Sequence, residues 1–241
     1  PLLRRVDKPQ RVLLLVITSD RGLAGGFNSN VIRRAERFLW EEAERFKEIR
    51  LAVVGRKARD HFRRTGRQFQ EHVGVFEDLS FERARKIADE VAAEYVNGGL
   101  DAAFIITTEF KSAISQVVGV EQMLPVVPAG QAVHSAQVDP RGTQEKFGGA
   151  AKDVGGADYA YEPGKKEILE EILPRYFATE VFRALLESNA SEHGARMSAM
   201  ENATKNAGEM VGSLTLSYNR ARQAYITKEL MEIIGGAEAL K

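Results

Sequence analysis

From Arg175 to Ile234 the chain contains no proline, and only Gly194, Gly208 and Gly212 interrupt a helical pattern. Each glycine costs about 1 kcal/mol against alanine, too little to stop so long an element. Sixty helical residues extend for roughly 90 Å at 1.5 Å per residue. A compact domain built from the preceding residues is only roughly 40 Å across by size scaling, so it cannot cover such a rod. The helix therefore needs a partner. Its N-terminal approach, from Lys165, is helical in pattern and punctuated at Pro174.

The partner-seeking face is legible. Met197, Met200, Thr204, Ala207, Val211, Leu214, Tyr218, Ala221 and Tyr225 recur at alternating steps of three and four, which is a heptad seam. Past Tyr225 the apolar set slips by one residue to Ile226, Leu230, Ile233, Ala237 and Leu240. Thr204, Ala207 and Ala221 allow close helix approach but add little stability. The seam can be covered by a second copy, by another chain, or by a helix of the same subunit. A start at Pro1, without methionine and almost directly into an apolar strand, favours the last. Arg175 to Lys241 carries eight basic and eight acidic residues, a polar surround suited to a shaft.

The first two thirds have a different period. Val12–Thr18, Leu51–Val54 and Ala102–Thr107 are short apolar runs ended by polar residues or glycine, and read as buried strands. A weak strand is expected at 68–73. Helical spacing covers 29–48, 56–64 and 81–97, with Asn28 or Ser29 and Ser80 as candidate caps. Strands alternating with helices imply a mainly parallel sheet covered on both faces. Residues 111–128 read as an edge strand or hairpin, since Pro125 and Pro128 lack ladder donors. Residues 129–158 show no period and read as a loop. The expected division is an α/β domain over 1–163 and the long helix over 164–241.

Composition removes several functional classes. There is no cysteine, which excludes disulfides, cysteine–zinc sites and thiol chemistry. Thirty-four basic residues balance 34 acidic ones, which argues against a general nucleic-acid binder. The balance is uneven: residues 1–66 hold 16 basic and 8 acidic residues. The longest apolar run, Val12 to Ile17, is too short to span a bilayer, and no targeting segment is visible. His61, His72, His134 and His193 lack metal-ligand spacing, so no metal is expected. Ser191, Glu192 and His193 are consecutive, so on a helix they diverge and cannot form a relay.

Thr18-Ser19-Asp20-Arg21-Gly22-Leu23-Ala24-Gly25-Gly26-Phe27-Asn28 sits between a strand and a helix, a place where α/β proteins bind phosphate. It is neither of the common nucleotide signatures. No lysine follows the glycines, and Gly55-Arg56 stands where a ribose-binding acid would be. The alternative is a tight turn that lets strand and helix pack closely.

This glycine-rich stretch resembles the corresponding motif of the gamma subunits of F-type ATP synthases. Met197–Gly208 (MSAMENATKNAG) with Leu214–Ala237 (LTLSYNRARQAYITKELMEIIGGA) is similar to that family's C-terminal signature, and Leu173–Glu192 fits it too. The resemblance covers nearly the whole chain. It implies a Rossmann-like α/β domain carrying a long C-terminal helix that forms half of an antiparallel coiled coil. The other half would be an N-terminal helix preceding Pro1. The implied role is mechanical and non-catalytic, without cofactor: a central-stalk rotor that couples proton-driven rotation of a membrane c ring to the catalytic sites. The implied partners are three alpha and three beta subunits, an epsilon subunit and the c ring. The implied location is peripheral, on the cytoplasmic face of a bacterial plasma membrane.

By the same resemblance, Arg222, Gln223, Thr227 and Glu229 match polar residues that meet beta-subunit loops in rotor–stator contacts. Ile226, Leu230, Ile233, Ile234 and Leu240 match a tip that turns in an apolar sleeve. Ala24 stands where cysteine is frequent in the family, no chloroplast-type cysteine insert is present, and Tyr225 is bulkier than the expected small residue. A nucleotide-binding α/β enzyme with a helical arm and a homodimeric coiled-coil scaffold are the competing readings.

Overall fold

A computed structural model describes residues 2–4, 6, 8–126 and 164–238. The expected loop 129–158 and Leu240 lie outside the described residues. The chain divides into two compact units, Pro1–Met197 and Ser198–Lys241.

The first unit is built on a five-stranded sheet in the order β3-β2-β1-β4-β5. Its strands are β1 (Arg11–Ile17), β2 (Glu48–Val54), β3 (Gln70–His72), β4 (Ala102–Ser112) and β5 (Ser115–Leu124). β1 to β4 run parallel, and β5 returns antiparallel to β4 as an edge hairpin. Helices α1 (Phe27–Glu41), α2 (Arg56–Arg64) and α3 (Phe81–Val96) link the parallel strands. The last element, α4, spans Lys165–Glu238.

Alternation along β1 explains the layers. Val12, Leu14 and Val16 face α1 and α2, packing with Val31, Ala35, Phe38, Ala58 and Phe62. Leu13, Leu15 and Ile17 face the other side, where α3 supplies Ile87 and Val91 and α4 supplies Phe177, Val181 and Leu185. Both faces being apolar is why β1 reads as an unbroken hydrophobic run rather than an alternating one.

Several details differ from the sequence expectation. The division does not fall at 163/164: α4 belongs to the first unit as far as Met197, because Phe177, Ala178, Val181, Ala184 and Leu185 are buried against the sheet. Pro174 does not punctuate the helix. It sits exposed inside α4, where water can satisfy the carbonyl its missing N–H leaves free. α1 stops at Glu41, short of 48, and Phe46 turns back to pack beside Phe104, ring centroids 6.0 Å apart. Neither Asn28 nor Ser29 caps α1, whose N-cap is Gly26. Ser80 occupies the N-cap position of α3 with extended backbone, but its hydroxyl makes no capping bond.

The second unit is helix. Its seam residues Met200, Thr204, Ala207, Val211, Leu214, Tyr218 and Ala221 are all exposed. Leu214 and Tyr218 show 62% and 67% of their surface, so the seam is bare among the described residues.

Candidate functional site

The glycine-rich turn is organised by its own side chains. Thr18 continues β1, its N–H donating to the Val54 carbonyl at 2.9 Å. Asn28, from the first turn of α1, reaches back so that its Oδ1 accepts from the Ser19 N–H at 2.9 Å. Its amide donates to Ser19 Oγ at 2.9 Å, and that hydroxyl donates on to the Arg21 carbonyl at 2.6 Å. Leu23 is left in the left-handed region at φ 63° with 76% of its surface exposed. A non-glycine residue pays for that conformation, so the surrounding bonds must impose it.

The N-terminus of α2, beside this turn, is filled by the chain itself. The first N–H groups of α2 donate to the chain itself: Arg56 N–H to Asp20 Oδ1 at 2.9 Å, Lys57 N–H to the Ser19 carbonyl at 3.2 Å, and Ala58 N–H to Thr18 Oγ1 at 2.9 Å. Asp20 thus takes the place of an anion at the positive end of the helix dipole. Its charge is also met by the Arg56 side chain at 3.7 Å. The arrangement fits a close-packed turn.

Beyond the core contacts of Phe177, Val181 and Leu185, hydroxyl bonds tie α4 to β4. Thr107 Oγ1 donates to the Ala184 carbonyl at 3.1 Å, and Ser191 Oγ donates to the Thr108 carbonyl at 3.1 Å. Glu192, buried at 7% exposure, pairs with Arg196 one turn on, and Arg196 also donates to the Gly22 carbonyl at 3.4 Å. A cavity of about 330 Å³ opens between this part of α4 and the turn, with Arg21, Arg56, Ser188 and His193 on its wall. Ser188 Oγ is buried there without a hydrogen-bond partner. Ser191, Glu192 and His193 diverge as consecutive helical residues must, and His193 stays 4.0 Å from Glu192. Among the described residues no group of His, Cys, Asp and Glu could hold a metal ion. None of the described helices is long and apolar enough to cross a membrane.

On the second unit, helical geometry sorts the residues carried over from the resemblance. Arg222 and Glu229, seven apart, share one side of α4, while Gln223 and Thr227, four apart, share another. Ile226, Leu230 and Ile233 run between those sides, and Ile234 lies beside them. All eight are exposed. The slip at Tyr225 therefore turns the apolar stripe away from the heptad seam. In the sequence Gly194 reads only as a helix interruption, and Arg196 does not stand out, although Gly194 packs on the β4–β5 hairpin and Arg196 reaches the Gly22 carbonyl. A lone glycine in a helix and a single arginine carry no periodic signal that would say what they touch.

A family profile described as ATP synthase matches residues 1–240. The chain is 52% identical over 229 residues to the "ATP synthase gamma chain" of Anaeromyxobacter sp. (strain Fw109-5), covering 95% of this chain and 72% of that one. It is 47% identical to the "ATP synthase gamma chain" of Sorangium cellulosum (strain So ce56), covering 100% and 72%.

The chain belongs to the ATP synthase gamma-chain family.

Solved structures agree on the architecture. A chain of the Tetrahymena thermophila mitochondrial ATP synthase central stalk and c-ring structure is 26% identical with a TM-score of 0.59, covering 83% of this chain and 80% of that one. A chain of the Euglena gracilis mitochondrial ATP synthase is 23% identical with a TM-score of 0.64, covering 97% and 74%. As a gamma chain, this protein is the central-stalk subunit of an F-type ATP synthase. The mixed α/β sheet and the long C-terminal helix are the fold of that subunit.

Proposed function

We propose that this gamma chain works as a non-catalytic rotor. Rotation of a membrane c ring enters through the α/β domain and leaves through α4, which sets three alpha–beta catalytic sites in different states as it turns. An epsilon subunit would share the foot. The bare heptad seam on α4 carries this reading: Met200 to Ala221 present an exposed stripe at heptad spacing that a partner helix would cover. An antiparallel helix of the same subunit covers it. Arg222, Gln223, Thr227 and Glu229 then meet beta-subunit loops, and the stripe Ile226, Leu230, Ile233 and Ile234 enters an apolar sleeve. The location that follows is peripheral, on the cytoplasmic face of a bacterial plasma membrane.

Native mass spectrometry of the complex purified from its source tests this. One copy of this chain with three alpha and three beta subunits is the expected assembly. A monomer or homodimer that binds a nucleotide at micromolar concentration would sink the reading.

A further inference from the structure

We propose that Gly194 and Arg196 form a two-sided clamp that fixes the angle of α4 about its own axis relative to the sheet, and that torque passes between them through this clamp. The inference rests on the rotor reading above.

Two residues apart on a helix face nearly opposite directions, since each step turns about 100°. On one side, Gly194 meets the β4–β5 hairpin. A Cβ built on it would lie 3.1 Å from Phe110 Cε2 and 3.3 Å from the Cα of Ala113. The helix backbone therefore rests directly on the hairpin, with Ser191 Oγ bonded to the Thr108 carbonyl one turn earlier at 3.1 Å. On the other side, Arg196 donates to the Gly22 carbonyl of the glycine-rich turn at 3.4 Å. Its guanidinium is held by Glu192, which is itself buried. The turn cannot give way easily, because Asn28, Ser19 and the N-terminus of α2 brace it.

The mechanical consequence follows from lever arms. Upstream, Phe177, Val181 and Leu185 pack α4 into the core beneath the sheet, and Phe182 meets Phe81 of α3 edge-on at 5.8 Å. These contacts hold α4 near its entry, and a twist applied beyond them, toward Met197, is met by the last contacts before that point. Opposed contacts at Gly194 and Arg196 convert that twist into compression of the hairpin or stretching of a charge-assisted bond. Both are positioning residues, placed just before α4 leaves the first unit at Met197.

The chain has no cysteine, so a disulfide can be introduced cleanly. A Gly194→Cys, Ala113→Cys pair, in an assembled complex whose other subunits lack cysteine, should oxidise without loss of ATP synthesis, because these residues do not move against each other. Loss of turnover on oxidation, restored by reduction, overturns the clamp. Loosening tests it from the other side. Arg196→Gln with Ser191→Ala should leave unloaded ATP hydrolysis unchanged while torsional stiffness falls and proton pumping per ATP is lost. Arg196→Lys should retain most of the stiffness. A parallel fall of hydrolysis and pumping, or unchanged stiffness in the double variant, overturns the proposal. Whether the unaltered chain assembles with three alpha and three beta subunits tests the rotor reading separately.

Discussion

Asp20 Oδ1 accepts a hydrogen bond from the backbone N–H of Arg56 at 2.9 Å, so the turn after β1 caps the helix after β2. This single bond joins two segments 36 residues apart in sequence. Asp20→Ala should cost about 0.5–2 kcal/mol, the usual loss for an acidic cap. Gly55, directly before it, has φ 92°, and a Cβ there would collide with the Thr18 carbonyl. Gly55→Ala should therefore cost more than Asp20→Ala. Urea unfolding of the two variants orders them; equal midpoints would refute the packing argument.

Asp101 ties the start of β1 to the start of β4. Burial would push its carboxyl up, but the N–H groups of Arg11 and Gln10, and then the Arg11 guanidinium, hold it below the ordinary aspartate value. A depressed folded value stabilises the protein above the unfolded value of about 3.9, and that stability is lost as pH falls through the folded value. Stability should thus decline as acid is added below about pH 4, and Asp101→Asn should flatten that limb. Chemical denaturation across the acid range checks the slope.

His72, on edge strand β3, behaves in the opposite chemical sense with the same pH trend. Burial lowers its value first; Glu90 at 3.9 Å raises it and Lys86 lowers it further. Its Nε2 is buried without a partner. The folded state then binds fewer protons than the unfolded state, so stability falls as pH drops below about 6.5. His72→Gln should remove that component, and a ring-proton resonance assigned to His72, by its loss in that variant, that titrates near 6.5 would contradict it.

One helix should give two mutational responses. Phe177 and Leu185 on α4 are 2% and 0% exposed, and their alanine variants should cost about 3–5 and 2–5 kcal/mol. Leu214, on the same helix at 62% exposure, should change stability by no more than about 0.5 kcal/mol in this chain by itself. A larger cost for Leu214→Ala in the assembled complex would be the signature of a covered seam.

Arg222→Ala and Gln223→Ala should lower coupled ATP synthesis in the assembled complex. Both residues are exposed, so the fold should lose only about 0–1 kcal/mol. Synthesis rates and unfolding midpoints measured on the same variants separate coupling from folding. Unchanged synthesis would remove both residues from the rotor–stator face.

The periodic elements were legible in advance. β1, β2, α2 and α3 fall within a few residues of where their patterns predict, because each packs against a sheet both of whose faces are apolar. The glycine-rich turn was legible as either a phosphate loop or a tight bend. That Asp20 caps α2 became visible only once the chain brought α2 beside the turn. The candidate rotor–stator residues were legible through resemblance, since an exposed arginine has no physical signature in a sequence.

The sequence by itself determined that a parallel α/β unit precedes a helix too long to be covered by it, and that this helix carries a heptad seam which slips at Tyr225. Those are local and periodic properties, written in nearest-neighbour spacing. Only the tertiary structure decided that α4 enters the first unit's core through Phe177 and Leu185, ran on through Pro174, and met the hairpin at Gly194 and the turn at Arg196. Those contacts join residues tens of positions apart, so their energies arise from which surfaces the folded sheet brings within van der Waals reach.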